Sequence, residues 1–383
     1  VHLVGPGWNV IGAGEPALPG VAIGHNERVA WGITLAFIDQ QDVYVEELNP
    51  ANPREVRWRD GWEPLRVEVD TIGVRGEAPR VVELAWSRHG PILFADTARN
   101  LAYALRSVFS EPGTASYLGA LALNVARDAR DAMRAAAAWK VPPENLVFAD
   151  VDGNIAWQVA GLAPVRDGWD GRLPVPGRGT HEWAGFLPLE RLPREWNPRR
   201  GFIATANQNI LPEGYRPILG FEWEPPYRYR RIVEVLTAQI RGGRPFTVED
   251  MQALQHDVVS APALEAVRIL RGRRARTETA ERVRQMLLAW DGRLARESAA
   301  AAAYKAWRAA LDPRALESGT PRRLRDSLAH AALDAAVARL QREQGPRPAD
   351  WRWGRMNRQP IPHPLGIRAY HLPTIEMDGD GTT

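Results

Sequence analysis

Three observations predict an α+β fold for this chain of 383 residues: alternating runs up to about residue 95, a second alternating pair near residues 146 to 159, and helical spacing from Thr247 onward. The order sheet, short helix, sheet, long helices argues against a doubly wound parallel sheet, where strand and helix alternate regularly. With 45% hydrophobic and 25% charged residues, the chain has ample material for a core, which excludes wholesale disorder.

Val21 to Gly24 and Val29 to Thr34 read as short strands around the polar turn His25-Asn26-Glu27-Arg28. Val56 and Trp58 alternate with arginines, and Asp60-Gly61 then turns the chain toward Leu65 to Val69, the strongest short hairpin signal available. Val82, Leu84 and Trp86 keep the period of two until Gly90-Pro91 breaks it before Ile92-Leu93-Phe94. Residues 115 to 140 look helical and stop at Pro142-Pro143. Strands return at Leu146 to Ala149 and Ile155 to Val159, joined through Asp152-Gly153-Asn154. Pro164 to Arg200 is too rich in Gly, Pro and Trp for long elements. Thr247 with Asp250 resembles a capping box, and Thr279 to Trp290 and Ser298 to Leu311 carry helical spacing. The expected organisation is therefore 1–240 mostly β, 245–345 mostly helical and 346–383 returning to the core.

Charge and composition narrow the function classes. Lys+Arg 49 against Asp+Glu 46 leaves only +3, so the pI of about 9.4 reflects a small arginine excess and no nucleic-acid partner is expected. No run reaches the ~18 apolar residues of a membrane span. Absence of cysteine removes disulfides, thiolate nucleophiles and thiolate-bound metals. A Walker loop, a dinucleotide fingerprint, a His-Glu-x-x-His helix and a Gly-x-Ser-x-Gly elbow are all missing.

Two segments carry chemistry on their own residues. Asp39-Gln40-Gln41-Asp42 places two carboxylates three apart, a pattern that suits a hard cation and equally a solvated turn. Ala204-Thr205-Ala206-Asn207 follows an apolar run, and an asparagine amide there can donate to an oxyanion or simply form a turn.

A chain-wide pattern bears on both. The segment Pro19 to Gly32, with Gly24-His25-Asn26-Glu27-Arg28, resembles the signature of the penicillin acylase family, the N-terminal-nucleophile amidases. Asp39 to Glu46, Arg88-His89-Gly90-Pro91, Asp150 to Ile155, Gly201 to Asn207, Tyr227 to Ile232, Trp290-Asp291-Gly292 and His363-Pro364-Leu365 agree in order. The resemblance implies an N-terminal-nucleophile hydrolase fold, an αββα sandwich of two stacked antiparallel sheets flanked by helices, incomplete in this chain and with a helical region in its C-terminal half. It implies a large (beta) chain cut from a zymogen, partnered by a small (alpha) chain, and periplasmic or secreted. The activity implied is hydrolysis of a linear acyl amide, as in penicillin acylases that act in antibiotic metabolism or acyl-homoserine lactone acylases that quench quorum signals.

Carried over by the same resemblance, the oxyanion donors fall on Asn207 and the backbone of Leu35, and the active-site arginine on Arg231, with Arg228 beside it. The acyl pocket falls on Ile33, Thr34 and Phe37. Structural Ca2+ falls on Asp39, the Gln41 carbonyl and Asp42, with Glu222 a candidate for the further carboxylate expected after the oxyanion asparagine. The family's nucleophile is a serine well upstream of Pro19-Gly20; here Val1 to Leu18 precede that pair, and Ser87, Ser107, Ser110 and Ser116 are internal. The expectation is therefore a piece of a longer polypeptide that does not hydrolyse amides alone. A reading from another class is a non-catalytic protein whose 15 tryptophans line a ligand surface.

Overall fold

The structure, a computed structural model, describes residues 1–15, 19–115 and 117–383. It divides into two compact units, Val1–Pro225 and Pro226–Thr383. The division lies where helix replaces sheet, earlier than the boundary near residue 240 that composition suggested.

The first unit is built from antiparallel strands β1 (His2–Gly5), β2 (Trp8–Ala13), β3 (Ile23–His25), β4 (Val29–Leu35), β5 (Gln41–Asn49), β6 (Asn52–Trp58), β7 (Gly61–Pro64), β8 (Arg66–Ile72), β9 (Arg80–Ser87), β10 (Gly90–Asp96) and β11 (Leu101–Ser107). Two short helices follow, α1 (Ala120–Leu123) and α2 (Ala129–Ala135), in place of the single long helix expected over 115 to 140. Then come β12 (Glu144–Asp150), β13 (Ile155–Ala160), β14 (Pro164–Arg166), β15 (Val175–Pro176), β16 (Trp183–Phe186) and β17 (Arg194–Trp196). Among the described residues one sheet runs β1-β2-β3-β4-β12-β13-β17, and a second runs β7-β6-β5-β11-β10-β9-β8 with β15 beside β5. The Asp60-Gly61 turn closes β6 onto the short β7, whereas the run to Val69 expected to complete that hairpin enters β8 and pairs with β9.

Alternation in β4 and β12 sorts the first sheet's faces. Val29, Trp31, Leu146 and Phe148 pack with Ala120, Leu123, Ala132 and Trp139 of the helical layer. On the other face Trp157 and Val159 pack with Ala36, Ile38, Ile210 and Leu219. The chain leaves β4 at Leu35, crosses residues 36–40 and enters β5, so this crossing links the two sheets.

The second unit holds α3 (Tyr227–Arg241), α4 (Val248–Gln255), α5 (Ala261–Val267), α6 (Glu278–Ala289), α7 (Ala299–Ala310) and α8 (Arg322–Gln344), then a hairpin of β18 (Arg358–Ile361) and β19 (Leu372–Glu376). The Thr247–Asp250 capping box forms, each partner bonding the other's backbone N–H. Alanines 301 to 303 bury against Trp307, Leu333 and Leu340, with Trp351 and Trp353 in the same core, so residues after 346 pack within this unit.

Seven of the 15 tryptophans are withdrawn from any ligand surface. Trp31, Trp139, Trp157, Trp183, Trp307, Trp351 and Trp353 are buried in several separate cores. Their indole N–H groups donate inside the protein, for instance Trp31 to the Val21 carbonyl and Trp307 to the Ala329 carbonyl.

Candidate functional site

The end of β4 brings several polar side chains together. Leu35 lies opposite Glu144, and Thr34 opposite Asn145, in the β4–β12 ladder. The Ala36 N–H donates to the Pro143 carbonyl at 2.9 Å. Since bonded and non-bonded pairs alternate in an antiparallel ladder, the Leu35 N–H is turned away from β12. On that side β3 covers β4 only at Ala30 and Trp31, so among the described residues no strand pairs with the edge at Leu35. Leu35 is 45% exposed.

Asn207 reaches the same peptide from a loop 172 positions on, its Nδ2 donating to the Leu35 carbonyl at 3.1 Å. Its backbone sits at φ 64, in the left-handed region that asparagine tolerates better than most residues. The loop is tied at Thr205, whose hydroxyl accepts from Thr34 Oγ1 at 2.9 Å, and at the Asn207 carbonyl, which accepts from Glu224 N–H at 2.9 Å. Asn145 completes the frame: its Nδ2 donates to Thr34 Oγ1 and the Leu35 carbonyl, both at 3.2 Å, and its Oδ1 accepts from Trp157 Nε1 at 3.0 Å. A backbone N–H at an open strand end and a side-chain amide beside it can together hold a developing oxyanion.

The pocket residues separate. Ile33 packs on the Trp139 face, whereas Thr34 points to the opposite face and is committed to Thr205 and Asn145. Thr34 therefore frames Asn145 and Asn207 and does not share a wall with Ile33. Phe37 lies half-buried just beyond the strand at φ 54, a conformation unusual for a bulky residue. The crossing is pinned there: Asp39 N–H donates to the Leu219 carbonyl at 2.6 Å, and a side chain at Gly220 would collide with the Phe37 carbonyl.

The calcium expectation meets an arginine. Arg166 on β14 places Nε 2.8 Å from Asp42 and Nη2 3.1 Å from Asp39, with its side chain only 3% exposed. It also donates to the Asp39 carbonyl, and Trp183 Nε1 donates to Asp42 at 2.6 Å. Burial pushes both carboxyls above their ordinary range, against the pull of Arg166. Each carboxylate is already bonded to a guanidinium, and among the described residues no third His, Asp or Glu joins them as a ligand. Gln41, whose backbone carbonyl was the expected ligand, gives its side-chain amide to Ser107, and Glu222 is exposed. Arg166 thus supplies a fixed cation to both carboxylates, and Asp42 Oδ1 keeps no partner among the described residues.

Arg231 belongs to the second unit, on α3. Its guanidinium donates to Asp257 through Nε at 3.1 Å and Nη2 at 2.8 Å, and pairs with Glu234 at 3.1 Å. Burial pushes the Asp257 carboxyl up, but hydrogen bonds from Arg231 and the Val259 N–H outweigh it and hold it below its ordinary range. Of the internal serines, Ser107 is a helix cap and accepts from Gln41, and Ser116 lies outside the described residues.

Reading the sequence missed Glu144, Asn145 and Arg166. Asn145 and Glu144 carry one weak signal, two polar residues between Pro142-Pro143 and the apolar run from Leu146. Arg166 carries none, being one arginine among many in the irregular stretch.

The first unit is thus a two-sheet α+β scaffold that brings the Asn207 amide to the open end of β4. The chain belongs to the penicillin amidase family, whose model, described as penicillin amidase, matches residues 1–383. It is 36% identical over 320 residues to the penicillin acylase 2 proenzyme of Pseudomonas sp. strain SE83, covering 81% of this chain and 40% of that protein. It is 29% identical over 339 residues to the acyl-homoserine lactone acylase QuiP of Pseudomonas aeruginosa, covering 80% of this chain and 39% of that protein. A solved structure of the thermostable penicillin G acylase from Alcaligenes faecalis superposes with TM-score 0.73 at 24% identity, covering 92% of this chain and 74% of that one, which supports the N-terminal-nucleophile hydrolase fold. The chain spans about 40% of the length of these curated relatives.

Proposed function

We propose that this chain forms part of an acylase that hydrolyses a linear amide by acyl transfer to an N-terminal serine outside the residues seen here. The serine hydroxyl gives its proton to the serine's own α-amine, which titrates near 8 in the free state. Its oxygen adds to the amide carbon, and the carbonyl oxygen becomes an oxyanion between the Leu35 N–H and Asn207 Nδ2. Collapse expels the amine, which takes the proton back; water then adds to the acyl ester and releases the acid and the serine.

The observation that carries this reading is the Asn207 amide lying 3.1 Å from the Leu35 carbonyl at an uncovered strand end. Ile33 and Phe37 are the chain's contribution to the acyl pocket in this reading. The proenzyme name of one relative supports maturation by cleavage into a small and a large chain. Penicillin-type and acyl-homoserine-lactone-type amides are both candidate substrates, since relatives of both names match. A periplasmic or secreted location belongs to the same reading.

The test is Asn207→Ala in the complete precursor, assayed on phenylacetyl and long-chain acyl anilides. Loss of one oxyanion donor is expected to lower kcat by about 10²–10³ with the processed chains intact. Full activity in the variant removes Asn207 from this role.

A further inference from the structure

Glu144 is the residue directly opposite Leu35, in the non-bonded type of pair where facing side chains stand closest, on the same face of the sheet. That face also carries Ile33, one strand step away. The glutamate is 2% exposed, and its Oε2 is buried without a hydrogen-bond partner. Buried acceptors are almost always satisfied, and leaving one orphaned is costly. Nothing nearby compensates. The titratable groups that act on it are Glu15 and Tyr117, and Tyr117 spends its hydroxyl on Glu15 at 3.0 Å. No arginine, lysine or histidine bonds to it among the described residues. Burial, with Glu15 adding to it, pushes the carboxyl up to about 8, so the empty position holds a neutral acid at neutral pH.

We propose that Glu144 is a specificity residue that receives an ammonium or N–H donor carried by the acyl group of the substrate, close to the scissile carbonyl. This rests on the oxyanion role of Leu35 and Asn207, because Glu144 is placed by its pairing with Leu35. A substrate ammonium would satisfy Oε2 and draw the carboxyl into its ionised form, forming the charge-assisted bond that the chain itself does not provide. An acyl group ending in a carboxylate is disfavoured at the same place by the cost of burying its charge without a cation and by Glu15 nearby. An alkyl or aryl acyl group is accepted without gain.

The experiment compares 2-amino-2-phenylacetyl and phenylacetyl anilides, identical but for the amine, in the complete mature enzyme and in Glu144→Gln and Glu144→Leu. Expected is a preference for the amino substrate in the native enzyme that falls ten-fold or more in Glu144→Leu, through KM, while phenylacetyl turnover is held or improved. Glu144→Gln, which keeps an acceptor oxygen, retains part of the preference. Equal losses on both substrates overturn the proposal, since they assign Glu144 to the nucleophile's amine or to folding. If the complete protein turns over neither anilide, the acylase reading fails separately. Tryptophan-fluorescence titration with 2-amino-2-phenylacetamide and phenylacetamide then decides: amine-selective binding lost in Glu144→Leu upholds the site, and binding indifferent to residue 144 or to the amine rejects it.

Discussion

Two buried carboxylates flank the crossing between the sheets, and their surroundings differ in one respect. Asp42, entering β5, shares Arg166 with Asp39 and accepts from Trp183. Glu144, opposite the last residue of β4, has no cation beside it among the described residues, although each of the two carboxyls keeps one oxygen unpartnered. Both carboxyls are pushed up by burial, yet among the described residues the aspartate pair has a counter-charge and Glu144 has none. The difference separates structure from recognition. A carboxylate with a built-in guanidinium holds the fold, while one without it is poised for a group from outside.

The largest expected effect breaks the aspartate side. Arg166→Ala leaves two partly or fully buried carboxylates facing each other, and loss of one partner from a buried ion pair costs about 3–5 kcal/mol. Urea unfolding at pH 7 reads that loss. Removing the guanidinium takes away the main pull favouring ionised Asp39 and Asp42, so the deficit is smallest in acid, where both protonate, and grows as pH rises. In the native chain a chelator leaves the unfolding midpoint unchanged, because the cation there is Arg166. A midpoint lowered by chelation would return the pair to metal binding.

The glutamate side gives the second effect, with the opposite mutational sign. The folded carboxyl titrates near 8 against an ordinary value of 4.5, so its ionised form is disfavoured in the fold. Its contribution is fully present below about pH 4.5 and is lost as pH rises through 8, on the order of a few kcal/mol. Glu144→Gln removes that titration. The variant is expected to unfold at higher urea than the native chain at pH 9 and to match it near pH 5. A variant weaker at both values would make the carboxylate structural and dissolve the contrast with Asp42.

Much of this contrast is invisible in sequence, for physical reasons. Local rules act over a few residues, and there they served: Asp60-Gly61 closes its hairpin, Asp152-Gly153-Asn154 joins β12 to β13, and Thr247 caps α4 with Asp250. The resemblance picked out Asn207 and Leu35, which the fold brings together across 172 positions. It also suggested calcium from Asp39 and Asp42, but a motif read on one strand says nothing of what a distant β14 places against it. Glu144 shows the same limit. Before an apolar run it reads as a solvated strand end, and only the register with Leu35 makes it a buried acid beside the donor site. Alternation also decided against Thr34 as a pocket neighbour of Ile33, a period-two rule that the motif match overlooked.

The smallest expected effect sharpens how that donor site is held. Thr205 is the tether between β4 and the Asn207 loop, accepting from Thr34 while Thr34 accepts from Asn145. Thr205→Val keeps the shape and removes the acceptor, so the half-buried Thr34 hydroxyl loses one partner and stability falls by about 0.5–1.5 kcal/mol. If the tether only braces the fold, activity of the complete enzyme follows the folded fraction and is unchanged at low temperature. If it also aims the Asn207 amide, kcat falls several-fold there with KM nearly constant, because an oxyanion donor acts on the transition state more than on bound substrate. The second outcome is expected, since Asn207 lies two residues from Thr205 in a left-handed conformation that the tether and the Glu224 bond hold at its two ends.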